Sequence, residues 1–406
     1  MMKHYIFLTN SIRNMGGGQM YVRNKSLYLQ NKGWSTSVFF YNEGPILIQE
    51  LNTYKSNLIK TLAQSIALVS KDIIERTLNE IISKLPDSDE FVIESNAYHL
   101  IYWGELIAKR INAKHLLFIL EENLPTFNNA IAEFFIFKLL RKEVIGNAYT
   151  YKRFLKKRYI DEFAKYGTIK DISPFCSNVI IRDSKVNFDI AYADYNILSI
   201  GRLDKPYISN MLNEFIIFVK KYSKYSFNII FIGGDAENTI STAIRNKFKQ
   251  FHNVTIYTLG YMYPIQIYYL SIADVNVASS NSVLVSANEG VPTIVVDAHD
   301  YFALGVYNYT TTNTVFRSNE PKELISDLLE DILINRNYPK TCFDNTDHNN
   351  GDFDAHMDFY DINIKKEYYD IYQIFSTFDY IKIRIIELAY YFCSGLRKIC
   401  NLSTYF

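Results

Sequence analysis

Five short apolar runs in the second half of the chain, "NILSIG", "FNIIFIGG", "VTIYTLG", "ADVNVAS" and "PTIVVD", do most to limit what it can fold into. Each is strand-like, and helical segments near Met211 to Lys221, Ala236 to Lys249, Tyr263 to Ile272 and Val283 to Glu289 separate them. Strands alternating with helices in this way predict a doubly wound α/β domain with a parallel sheet. The first half repeats the pattern. Tyr5 to Thr9 reads as a strand, Gly18 to Asn31 as a helix ended by Gly33, and Ser37 to Phe40 as a second strand. A long helix is predicted near Leu58 to Leu85, then the strand "EFVIES", a helix near Tyr98 to Arg110, the strand "KHLLFIL", the helix "AIAEFFIFKLLR" and the strand "EVIGN".

With 406 residues, 48% of them hydrophobic, the chain can bury two sizeable cores. The regular pattern weakens between Tyr166 and Asp194, which predicts one domain over 1–170 and a second over 190–340, followed by a tail at 356–406. Lysines plus arginines (43) equal aspartates plus glutamates (43), so no bulk basic field exists to hold nucleic acid. "MMKHYIFLTNSIRN" has too short an apolar core for a signal peptide and reads as a first strand, giving the expectation of a cytoplasmic chain. The four cysteines, Cys176, Cys342, Cys393 and Cys400, form no CxxC pair, which argues against a zinc site and a disulfide framework.

Two places carry chemistry by their residue types. "NMGGGQMYVRN" puts glycines directly before a helix, where bare backbone and the partial positive charge of the helix start suit phosphate or sugar oxygens. It is neither a P-loop nor the dinucleotide fingerprint, since no Gly-Lys-Ser/Thr follows and Tyr21 stands where the third glycine belongs. The alternative is a tight turn that lets helix pack on strand. In "ILSIGRLDKPY" a buried strand ends at Gly201 and releases Arg202 and Lys205, two cations able to clamp a diphosphate; the alternative is a solvated loop with Asp204 as ion partner. Further on, the polar turn Ser279 to Ser282 opens a short helix and forms a second candidate anion site, unless Ser282 is simply the helix N-cap.

In order, "GGGQ", "ILSIGRLDK", "FIGGDAE", "LGYM" and "ADVNVAS…EGVPTIVVD" resemble the glycosyltransferases of the two-Rossmann-domain (GT-B) fold, in particular the large retaining group called family 4 or group 1. The resemblance covers about residues 5 to 300. It implies two Rossmann-like domains facing a cleft, with a C-terminal helical segment packed back on the first. It also implies transfer of a sugar from a nucleotide diphosphate sugar to a glycan or lipid-linked hydroxyl, as in bacterial surface polysaccharide synthesis, with no cofactor and no metal. Carried over, Gly17 and Gly18 approach the donor, Gly201, Arg202 and Lys205 hold the diphosphate, Gly260, Tyr261 and Met262 border the base, and Ser280, Asn281 and Ser282 face the phosphates or sugar.

The sequence departs from the family at named positions. One of the two glutamates usual around the helix after the "AD" strand falls on Val285, which cannot accept hydrogen bonds, and the turn is too short for the other. Glu289 is the candidate substitute, with a solvated helix end as the alternative. The histidine expected after the third strand falls near Asn96, with His99 and Glu94 as neighbours. Glu121 and Glu122 follow "LLFIL", and Glu122 is a candidate acceptor ligand or base, the pair's repulsion raising one pKa. Tyr98, Tyr102, Trp103 and Phe127 are candidates for an acceptor pocket, or else core.

In the tail, Lys382, Arg384, Arg397 and Lys398 flank the apolar run from Ile385 to Cys393, so peripheral membrane contact stands beside packing on the first domain. The departures keep a second reading open, a catalytically silent GT-B partner or binding subunit. A nucleotide-sugar epimerase or hydrolase is a third.

Overall fold

A computed structural model describes residues 2–13, 15–120, 129–146, 170–171, 176, 178–183, 186, 188–234, 239–341 and 366–373. These form two compact units, residues 2–176 with 366–373, and residues 178–341. Each is a Rossmann-like α/β layer structure, the class the alternating pattern predicts.

In the first unit, strands β1 (Lys3–Leu8), β2 (Trp34–Phe40), β3 (Lys55–Leu58), β4 (Glu90–Ser95) and β5 (Lys114–Leu117) make one sheet of order β3-β2-β1-β4-β5. Every pairing is parallel. Leu8 lies opposite both Phe39 and Ser95, so the residues after β1, β2 and β4 emerge at one edge. The chain runs from β1 outward to β2 and β3, then returns to β4 on the other side. The topological switch point is therefore between β1 and β4, where open α/β sheets form a crevice beyond their carboxyl ends. Helices α1 (Gly17–Asn31), α2 (Glu50–Thr53), α3 (Lys71–Ser83), α4 (Leu100–Ile111) and α5 (Asn129–Leu140) and a parallel pair of two-residue strands, β6 (Ile145–Gly146) and β7 (Lys170–Asp171), also belong to this unit. Ile6, Leu8, Phe39 and Ile93 pack with Ile74, Leu78, Trp103 and Ile107 in its core.

Residues 366–373 join this core through Ile371, which is buried. Tyr368 donates its hydroxyl to Ala113 O at 3.0 Å, and Tyr369 N donates to Glu105 Oε1 at 2.8 Å. The rest of the tail, with the basic residues flanking Ile385 to Cys393, lies outside the described residues.

The second unit has a sheet of order β11-β10-β9-β13-β14-β15, from β9 (Tyr195–Ile200), β10 (Phe227–Ile232), β11 (Val254–Thr258), β13 (Val275–Ala278), β14 (Thr293–Val296) and β15 (Ala303–Val306). Its switch point is between β9 and β13. Helices Ile208–Lys221, Thr239–Phe248 and Asn281–Ala287 connect the parallel strands.

Three sequence expectations are corrected. The long helix expected near Leu58 to Leu85 is instead the end of β3, two 3-10 turns at Lys60–Ala63 and Ile66–Leu68, and α3. Apolar spacing across that stretch mimics a helix, but Ser70 interrupts it: in extended conformation, it caps α3 by accepting from Ile73 N at 3.4 Å. The helix expected near Tyr263 to Ile272 is shortened to Ile267–Ile272, because Ile265 and Gln266 form a two-residue strand, β12, paired with Ile180 and Ile181 (β8). Finally, β15 is an unforeseen strand and antiparallel to β14, an edge addition common on otherwise parallel sheets.

Candidate functional site

In the second unit the carboxyl ends of β9, β10 and β11 are lined by glycine. Gly201, Gly233 and Gly260 have φ of +152°, +144° and +71°, conformations that side-chain-bearing residues rarely adopt. Gly233 N donates to Gly260 O at 2.8 Å and Gly201 N to Ile232 O at 2.9 Å, tying the three strand ends together. A Cβ on Gly233 would lie 1.8 Å from Gly201 O, and one on Gly234 would lie 2.9 Å from the Tyr261 ring. The result is a backbone floor at the sheet's carboxyl edge. Gly233 and Gly234 belong to it although sequence reasoning left them out of the site; the doublet in "FIGGD" was the available signal.

Arg202 and Asp204 leave this floor half-exposed, with Arg202 Nε 3.4 Å from Asp204 Oδ1. A pair this open is worth little by itself, so Arg202 can exchange Asp204 for a stronger anion at small cost. Lys205 sits one turn before the helix Ile208–Lys221, with its carbonyl accepting from Ile208 N at 3.1 Å.

On the other side of the switch point, Ser280 rather than Ser282 is the N-cap of Asn281–Ala287, and its side chain makes no capping bond. Its φ of 63° and ψ of −144° form a strained turn, held by Ser280 N donating to Thr314 O at 2.6 Å. Ser279 is buried, and its Oγ has no hydrogen-bond partner among the described residues. Asn281 and Ser282 open the helix.

Val285 is packed with Leu198, Ile200 and Val291, so the glutamate's usual place is part of the apolar core. Glu289 falls beyond the helix, where its carboxylate accepts from Arg182 Nη2 at 2.7 Å. A cavity of about 600 Å³ adjoins β11, lined by Arg245, Tyr257, Thr258, Tyr261, Met262 and Tyr269 among others. Tyr261 and Met262 thus border a recess of a size that accepts a small ligand.

In the first unit, α1 begins at Gly17 with Gly16 as N-cap and no side-chain cap, leaving backbone N–H groups to other partners. A Cβ on Gly17 would come 3.3 Å from Cys176 Cβ, so glycine here also serves close packing. Gly18 faces Leu120, whose N donates to Asn96 O at 3.1 Å; the glycine turn and Asn96 therefore border the same residue at the switch point. Glu94, two residues before Asn96, is fully buried in a cluster with Lys25, Tyr5, Tyr21 and Asn96.

His99 is the N-cap residue of α4, with the Tyr41 ring edge-on at 5.0 Å. Burial pulls its pKa down to about 4, and Nε2 has no hydrogen-bond partner among the described residues. Of the proposed acceptor residues, Trp103 is fully buried and Tyr102 nearly so, with Trp103 Nε1 donating to Gln64 O at 3.0 Å. Both belong to the core, because their faces of α4 meet β4 and α5; Tyr98 packs beside them. Glu121, Glu122 and Phe127 lie outside the described residues. No group of three or more His, Cys, Asp or Glu with metal-holding geometry occurs among the described residues.

Histidine burial has a consequence for stability. Below pH 6.5 the unfolded chain takes up a proton at residue 99 that the folded chain refuses until about pH 4. Stability therefore falls as pH drops through that window, by up to about 3 kcal/mol from this one group. Melting followed from pH 7 to 4 is expected to show that decline, and His99→Phe to flatten it. His4, also held near 4 by burial, supplies a residual slope.

No family model matches the chain, and no curated protein matches it. Solved structures match across most of its length. A glycosyltransferase from Rickettsia africae superimposes with a TM-score of 0.53 at 12% identity, covering 88% of this chain and 93% of that one. Anabaena Alr3699/HepE, solved with UDP and glucose, gives 0.51 at 13% identity, covering 88% and 95%. UDP-GlcNAc 2-epimerase from Neisseria meningitidis, bound to UDP-GlcNAc, gives 0.47 at 15% identity, covering 89% and 99%. At such identities the likeness establishes the fold, the GT-B architecture, and that alone.

Proposed function

We propose that this chain is a glycosyltransferase that moves a sugar from a nucleoside diphosphate sugar to the hydroxyl of a glycan or lipid-linked acceptor. The observation that carries the reading is the glycine floor of the second unit with Arg202 at its edge. Bare strand ends let phosphate oxygens approach backbone, and a guanidinium beside them binds a diphosphate through its planar fork. In this reading Arg202 and Lys205 stabilise the leaving diphosphate, which is where the negative charge grows during transfer. Gly260, Tyr261 and Met262 border the base; Ser280, Asn281 and Ser282 lie toward the phosphates. The scheme needs no metal. Retention of configuration, a hexose donor and a place in bacterial surface polysaccharide synthesis at the cytoplasmic side belong to the same proposal. UDP is the first nucleotide to test, since the Anabaena relative in fold was solved with it.

Calorimetric titration with UDP, GDP, ADP, CMP and dTDP tests the reading. One nucleotide should bind, and Arg202→Ala should weaken it by roughly tenfold to a hundredfold, the worth of one charged hydrogen-bonding group. Unchanged affinity in the mutant would remove Arg202 from the site. Val285 in the core and Glu289 engaged by Arg182 favour a second reading, a silent GT-B subunit. Failure of every nucleotide to bind would decide for it.

A further inference from the structure

The cluster around Glu94 does more than fill the core of the first unit. Its Oε2 accepts from the Tyr5 hydroxyl and from Lys25 Nζ. Its Oε1 accepts from the Tyr21 hydroxyl at 2.8 Å and from Asn96 Nδ2 at 2.7 Å. Lys25 Nζ also donates to the Tyr21 hydroxyl at 2.9 Å. Tyr21 and Lys25 stand one helical turn apart on α1, the helix that follows the glycine turn, whereas Glu94 and Asn96 stand at the end of β4. One buried carboxylate thus fastens both flanks of the switch point.

It also fixes the Asn96 amide. Asn96 Nδ2 faces two acceptors, Glu94 Oε1 and, at 3.2 Å, Phe118 O. A reversed amide would set its oxygen against both, so Nδ2 must point inward. Oδ1 is left as a buried acceptor with no partner among the described residues, in a residue only 3% exposed. Leaving such an acceptor unmet is unfavourable, and a ligand's hydroxyl would relieve it.

We propose that Glu94 is a positioning residue: held by Lys25, Tyr5 and Tyr21, its carboxylate turns Asn96 so that Oδ1 accepts a hydrogen bond from a carbohydrate hydroxyl. The ligand class rests on the nucleotide-sugar reading above; the orientation rests on the geometry alone. A carbohydrate hydroxyl can come from the donor's sugar or from the acceptor, and the test separates these sources.

The variants are Asn96→Ala, which deletes the acceptor atom, and the pair Lys25→Met with Glu94→Gln. The pair removes the ion pair without leaving a lone buried charge, a change that cores commonly tolerate. Tyr21→Phe, which withdraws one donor from Glu94 and keeps the packing, is the milder third variant. In the first arm, calorimetry compares UDP with UDP-glucose. If the donor's sugar is bound, the advantage of UDP-glucose over UDP falls about fivefold or more in Asn96→Ala and in the double variant, with affinity for UDP itself unchanged. In the second arm, saturation-transfer NMR follows methyl α-glucoside on UDP-saturated protein. If the acceptor is bound, its signal is lost in the same variants while the first ratio stays fixed.

Equal losses for UDP and UDP-glucose, tracking a lower melting temperature, would make Glu94 merely structural and overturn the proposal. So would Asn96→Ala acting alone while the double variant and Tyr21→Phe behave like the wild type. If the wild type binds no UDP, the nucleotide-sugar reading fails, and the NMR arm, run without UDP, still decides this proposal: a glucoside signal lost in the variants upholds it, and none in the wild type overturns it.

Discussion

Alanine at Gly233 is expected to unfold the second unit or to prevent its strands β9, β10 and β11 from closing. The added Cβ would sit 1.8 Å from Gly201 O. That obstacle is main chain directly after the central strand β9 and cannot swing aside as a side-chain tip would. The residue must also hold φ near +144°, where an L-residue is strained. Together these place the cost at about 4 kcal/mol or more, a large share of a domain's usual stability. Gly260→Ala is the matched control. Its φ of +71° strains alanine too, but nothing lies within 4 Å of the new Cβ, so about 1–2 kcal/mol is expected. Urea unfolding of the three proteins, read by far-ultraviolet circular dichroism, checks the order. Because Gly233 also forms the floor proposed to meet phosphate, any folded fraction should bind nucleotide poorly. A Gly233→Ala protein as stable as Gly260→Ala would mean that the strand ends are not packed as described.

Strands β1, β2, β4 and β5 of the first unit and β9, β10, β11, β13 and β14 of the second were legible because parallel strands covered on both faces read as apolar runs, whereas the edge strands β3 and β15 were not. Strand-end glycines were legible because Gly201, Gly233 and Gly260 all turn through positive φ, to which main-chain crowding adds at Gly233. What escaped notice was polar and internal. Lys25 lies on a helix rich in polar residues, and nothing local says that it points inward to Glu94. The match lies in residues far apart in sequence, invisible to periodicity. Lys138 was better advertised: a single cation among the apolar residues of "FFIFKLL" is a signal for a buried anion. The stretch before α3 misled for the opposite reason, since its apolar spacing fits a helix while its serines favour extended backbone.

Lys138 is also where charge removal should be most costly. Its ammonium lies 2.5 Å from Glu105 Oε2 and 2.9 Å from Glu143 Oε2, all three groups buried, and it donates to His115 O at 3.2 Å. Glu105 in turn accepts from His115 Nδ1 at 2.7 Å, and His115 Nε2 meets Ser95 Oγ at 2.9 Å. Burial acts to raise the Glu105 carboxyl, but Lys138 and His115 outweigh it and bring the pKa down to about 2 from an ordinary 4.5. A depressed carboxylate stabilises the fold above the unfolded pKa and loses that contribution as pH falls through the folded one. In the wild type the contribution is therefore complete above pH 4.5 and is lost on acidification toward 2.

Lys138→Met keeps the stem's volume and deletes the charge, so Glu105 loses its ammonium and keeps the bonds from His115 and Tyr369 N, while Glu143 keeps Arg141 Nε at 3.2 Å. The expected penalty at pH 7 is about 3–5 kcal/mol, the range for orphaning a buried ion. Its pH dependence identifies the cause. Without Lys138, burial and repulsion from Glu143 should outweigh the remaining hydrogen bonds and lift the Glu105 carboxyl pKa above the unfolded value. Protonation would then relieve the mutant on acidification while the wild type keeps its full contribution, so the gap between them should narrow from pH 7 toward pH 5. If lost packing or the lost bond to His115 O were the whole effect, the two melting curves would stay parallel across that range. Paired melting measurements at pH 7, 6 and 5 distinguish these outcomes. Because Tyr369 N is bound to the other oxygen of Glu105, the same substitution should also loosen residues 366–373, seen as faster amide exchange at Tyr369 than in the wild type.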